Sequence, residues 1–276
     1  MRAFHSDASI KARYVERVRA HAAADQIIHG RYWENGKGCA VGCTIHGDEH
    51  ARYETELGIP RVIARLEDGI FEGMANGDSK KFPLRFLEAI APGADLSSVW
   101  PKFAHWLLVD PTDGVLQYAR TERARGVIQA VADLCGRTAR GEKVAQKEWW
   151  SARRTAAAAY AAAAAYAAAA YAAAAAYAAA ADAADAAAAA AYAADADAAD
   201  AADAADAADA AAYAAADADA KRGAYKRQAE KLLELLSAAP VEPARSDDPA
   251  PGAAAPAPAG ARNQARRIAP TRARGP

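Results

Sequence analysis

The chain has little that would fix it covalently or anchor it in a membrane. Three cysteines among 276 residues (Cys39, Cys43 and Cys135) are too few and too odd for a disulfide scaffold. A reducing, cytoplasmic setting is therefore the expectation. The amino-terminal MRAFHSDASIKARY has no apolar core, so no secretory signal is read there. The longest uncharged run, residues 155–181, is alanine apart from Thr155 and four tyrosines, and has no Leu, Ile, Phe or Val. It is long enough to cross a bilayer but lacks the side chains that favour insertion, so a membrane span is not expected. Glycine and proline are missing between Glu142 and Arg222, which removes every helix breaker from that stretch.

What is present divides the chain into three parts. Residues 1–141 have mixed composition and the only large supply of apolar side chains. Residues 142–239 contain a tract, 156–220, made solely of Ala, Tyr and Asp, followed by a leucine-bearing segment. Residues 240–276 are rich in Pro, Ala, Gly and Arg and are expected to be disordered. The net charge of −1 conceals segregation, since 156–220 carries ten Asp and no Lys or Arg, while each flank is net basic. The last 17 residues hold five Arg. They suit weak contact with nucleic-acid phosphates or with the chain's own Asp tract, and no aromatic is interleaved for base stacking.

Periodicity in the first part is helical throughout. Ser6 and Asp7 can cap a helix carrying Ile10, Tyr14 and Val18. Asp48 can cap a short helix through Tyr53 and Leu57, stopped by Gly58. Pro60 suits the start of a helix whose Val62, Ile63, Leu66, Ile70 and Met74 share one face. Further helices are expected around Phe86, Leu87 and Ile90, around Trp100, Phe103, Leu107 and Leu108, and from Val115 through Leu134 to about Gly136. The fold class is all-α: a small helical domain, then a long Ala-rich helix or helical hairpin, then a disordered tail.

On that Ala-rich helix Tyr160, Tyr166, Tyr171, Tyr177, Tyr192 and Tyr213 would form a stripe, while the Asp residues recurring every three wind around it. The eleven-residue tyrosine repeat is the basis for an ice-binding reading, although ice-binding helices place small hydroxyl residues there. Beyond it, Tyr225, Ala229, Leu232, Leu233 and Leu236 share one apolar face. A straight rod would carry that face roughly 100 Å from the first domain and leave it to self-association or a protein partner. A hairpin would let it cover the first domain instead. The absence of breakers favours the rod.

The densest chemistry lies in GKGCAVGCTIHGDEH, residues 36–50. Cys39, Cys43, His46 and His50 have the spacing C-x3-C-x2-H-x3-H, and thiolate with imidazole is the donor set of tetrahedral zinc. A thiol reading pairs a cysteine with one of the histidines, or couples Cys39 to Cys43. The bland reading is a glycine turn with buried cysteines and surface histidines. The loop lacks the Gly-Lys-Ser/Thr ending of a phosphate cradle.

YWENGKGCAVGCT, followed by HARYETELGIPRVIARLEDGIFEGM, resembles an uncharacterised family of bacterial and phage proteins. In that family a helical amino-terminal block precedes a variable Ala-rich tail. The resemblance covers about residues 1–110 and implies that architecture, but no activity, substrate or catalytic residue. The alanine-rich tract also resembles some bacterial immunity proteins in composition alone. The functional expectation is a non-enzymatic interaction or scaffold protein that self-associates through Leu232, Leu233 and Leu236. The alternative is a metal-binding or thiol-dependent enzyme or sensor centred on Cys39–His50, with zinc as its cofactor.

Overall fold

A computed structural model of the chain describes residues 1–119, 121–170 and 218–241. The described residues form helices joined by turns, with no strand among them. Their order is α1 (Ala8–Ala23), α2 (Ala40–Ile45), α3 (Arg52–Leu57), α4 (Arg61–Gly73), α5 (Asn76–Ser79), α6 (Phe82–Ala89), α7 (Val99–Val109), α8 (Glu122–Ala139), α9 (Gln146–Ala170) and α10 (Ala218–Ser237). Two short 3-10 turns, Ala3–Ser6 and Val115–Tyr118, precede α1 and α8. The fold class is all-α.

Several helix boundaries follow from local chemistry. The Asp7 carboxylate accepts the Ser9 amide at 2.7 Å and so caps α1. Thr121 does the same for α8 through the Ala124 amide, and Gly58 ends α3 in the left-handed region. Three expectations shift. Asp48 does not cap α3, whose first turn follows Ala51 instead. Pro60 is itself the cap of α4, and helical geometry begins at Arg61. The stretch expected as one helix from Val115 divides into a 3-10 turn and α8, because Thr121 opens a new cap.

The core is continuous from Phe4 to Leu236 and is built on Tyr53, Phe71, Phe82, Phe86 and Phe103, all with no exposed surface. α7 packs along α8 and α8 along α9, while α1 rests on α2 and α6. The leucine helix α10 lies against α4, α6 and α7, with Tyr225, Leu232, Leu233 and Leu236 buried there. At the leucine end that face is occupied by the chain's own helices; the choice between rod and hairpin falls on residues 171–217, outside the described residues. The physical reason is burial, since covering a leucine stabilises by about 1.5–3 kcal/mol and an exposed row of them gains nothing. Among the described residues α9 and α10 pack with the helices of residues 1–141.

The Ala/Asp tract 171–217, the side chains of the tyrosine stripe and the tail from residue 242 lie outside the described residues. No described helix is long and apolar enough to cross a membrane.

Candidate metal centre

The loop between α1 and α2 folds back on itself before it reaches Cys39. The Gly38 amide bonds the Gln26 carbonyl, the Ile28 amide bonds the Gly38 carbonyl, and the Cys39 amide bonds the Arg31 carbonyl. Gly38 and Gly42 let the Tyr32 backbone lie directly against them, where a Cβ on either would overlap the Tyr32 carbonyl oxygen. These two glycines are needed for close approach, not for unusual dihedral angles. Cys39 then caps α2, its sulfur accepting the Gly42 amide at 3.5 Å.

This arrangement aims Cys39 at α4. Its thiol donates to Asp68 Oδ1 at 3.5 Å. The other oxygen, Oδ2, takes the Tyr32 hydroxyl at 3.1 Å and His50 Nε2 at 3.0 Å. The His50 ring stands edge-on to the Tyr32 ring at 5.6 Å. One helical turn after Asp68, both carboxylate oxygens of Glu72 accept the Gly30 amide, at 3.1 and 2.9 Å. Ligand atoms of Cys39, Asp68 and Glu72 all lie within 4.8 Å of one another, the one such group of three among the described residues. The site grades from a buried cysteine through a half-buried aspartate to a glutamate at the surface.

The electrostatics disfavour a free thiolate. Burial, with Asp68 beside it, pushes the Cys39 thiol far above the ordinary thiol range. Burial also pushes Cys43 up to about 12. Tyr32 is pushed up to about 12 by burial and by the Asp68 carboxylate. Burial raises the Glu72 carboxyl as well, against the lowering effect of the Gly30 amide. A cation placed among these groups would reverse that balance, since it stabilises thiolate and carboxylate together.

Of the four donors singled out in the sequence, the structure brings Cys39 and His50 to the same carboxylate. Cys43 and His46 go elsewhere. The Cys43 thiol, one helical turn after the Cys39 cap, donates back to the Gly38 carbonyl at 3.3 Å. His46 ends α2 on the surface, stacked on Trp33 with ring centroids 4.2 Å apart. The C-x3-C-x2-H-x3-H set therefore does not converge, because α2 carries its middle members onto other faces. Asp68 and Glu72 went unnoticed in the sequence. Their signal was LEDGIFEG, which puts two carboxylates one turn apart on a helix face.

Comparison with known proteins returns no match to any protein-family model, curated protein or solved structure.

Proposed function

We propose that the domain binds one divalent cation of borderline softness, with Zn2+ the expected ion, through Cys39, Asp68 and Glu72. The observation that carries this reading is the convergence of those three ligand atoms within 4.8 Å. A thiolate ligand selects against Mg2+ and Ca2+, and two carboxylates with one thiolate suit Zn2+. Tyr32 and His50 hold Asp68 by its far oxygen, which leaves Oδ1 turned towards Cys39. Such outer partners set ligand orientation, and their loss typically weakens binding about 10–100-fold. Three protein ligands leave a fourth position for water or a substrate atom. In the ion's absence the Cys39 proton bridges to Asp68, so binding must expel that proton and weakens as pH falls.

Zinc titration of untagged protein by calorimetry tests this. One site per chain, lost in Cys39→Ser and in Asp68→Asn but kept in Cys43→Ser, is the expected result. Binding that survives Asp68→Asn and fails in Cys43→Ser would contradict it.

A second reading, a partner-binding or scaffold role, is favoured by one observation. A groove of about 540 Å3 between α8 and α9 has an apolar floor of Val127, Leu134 and Ala152, rimmed by Glu122, Arg123 and Glu148. An apolar groove with a charged rim suits an amphipathic partner segment. Sedimentation of the wild type and Ala130→Asp, a change in the groove lining, tests self-association there. A monomer in both would leave this reading without support.

A further inference from the structure

His21, near the end of α1, and His46, at the end of α2, meet with their Nε2 atoms 2.9 Å apart. Each ring is held by a separate partner. Gln26 Oε1 lies 2.6 Å from His21 Nδ1, so Nδ1 carries the proton and donates it, which leaves His21 Nε2 a lone pair. Trp33 fixes the other ring by stacking on His46 at 16° and meets His21 edge-on at 5.2 Å. Metal-bound histidines are built this way, with one ring nitrogen tied to an acceptor and the other aimed at the ion.

From these contacts we infer that His21 and His46 form a two-imidazole clamp for a tetragonal transition-metal ion, Cu2+ or Ni2+. The two Nε2 atoms, hydrogen-bonded to each other at 2.9 Å, are near enough for one ion to bond both after a small ring adjustment. Imidazole suits these ions, and Cu2+ stands highest among divalent first-row metals in affinity for a nitrogen site. Among the described residues no third histidine, cysteine or carboxylate joins the pair, so solvent supplies the remaining positions. His46 is exposed, which gives the ion and those waters direct access.

Two cations stand nearby and set an upper limit on affinity. Arg17 and Arg52 both act on His46, but each is already engaged, Arg17 with the Thr44 carbonyl at 2.8 Å and Arg52 with Glu56. In the ion's absence His46 Nε2–H donates to His21 Nε2. Binding moves that proton to His46 Nδ1, so no redox step is involved. The clamp shares no ligand with the Cys39 centre and does not rest on it.

The test is Cu2+ titration of the untagged full-length chain near pH 7.5, read by electron paramagnetic resonance and tryptophan fluorescence. The expected result, counted apart from any Cu2+ taken up at the Cys39 centre, is one tetragonal Cu2+ per chain with nitrogen splitting from two imidazoles and quenching that is reduced in Trp33→Phe. His21→Gln and His46→Asn should each weaken binding about ten-fold or more. Asparagine is chosen at position 46 because it tolerates the left-handed conformation found there, at φ +53°, so the helix end is kept. Cys39→Ser should leave the signal unchanged. Equal binding in wild type and His46→Asn would overturn the clamp, as would loss of the signal in Cys39→Ser.

Discussion

A carboxyl group with no exposed surface sits at position 67, one residue before Asp68. Glu67 accepts the Tyr53 hydroxyl at 2.8 Å through Oε2. Its Oε1 has no hydrogen-bond partner among the described residues. Burial holds the Glu67 carboxyl well above the ordinary glutamate range, so the folded protein keeps a proton that the unfolded chain releases. Its contribution to stability is therefore full below the unfolded value and declines as pH rises towards the folded one. Glu67→Gln, which keeps an acceptor for Tyr53, should flatten that decline. Denaturant unfolding at pH 5 and pH 8 checks this, with the variant gaining on the wild type at pH 8. Tyr53→Phe should cost about 1–3 kcal/mol by leaving Glu67 without its donor. The neighbouring ligands illustrate how far sequence reaches at this scale. Cys39 and His50 stood out by residue type, but their meeting point, Asp68, lies 29 and 18 residues away and looked like one more acid on a helix face.

At the scale of elements, close packing decides more than propensity. A Cβ at Gly73 would overlap the ring of Tyr225, so bare backbone on α4 forms the seat of α10. Gly73→Ala should loosen that helix without touching its leucines, seen as faster amide exchange across 221–237. Leu232→Ala should cost about 2–5 kcal/mol by opening a cavity, measured by chemical denaturation. The bidentate Arg85–Glu230 pair, at 2.6 and 2.7 Å, is half exposed, so Arg85→Ala should cost less than about 1 kcal/mol. Apolar periodicity, Asp7 and Gly58 made α1, α4, α7 and the end of α3 legible, because each signal acts within a turn or two. α2 was hidden. Its six residues follow a glycine-rich loop, and its cap is a cysteine sulfur, which is not among the usual capping side chains.

For the whole molecule, the destination of the leucine helix is the main result. Propensity describes a helix in isolation and says nothing about what its apolar face meets, and here that face is buried on α4, α6 and α7. Tyr225, Leu232, Leu233 and Leu236 together contribute on the order of 6–12 kcal/mol of burial, comparable with the net stability of about 5–15 kcal/mol typical of a folded protein. A chain ending at residue 217 should therefore lose cooperative thermal unfolding, and restoring 218–241 as a separate peptide should recover part of it.

The proposed metal centre is tested most directly by Co2+ titration of untagged protein, followed by ultraviolet absorbance. One thiolate-to-cobalt band saturating at one equivalent is predicted, present in Cys43→Ser and His46→Asn and absent in Cys39→Ser and Asp68→Asn. No band in the wild type, or a band that Cys43→Ser abolishes, would contradict the centre.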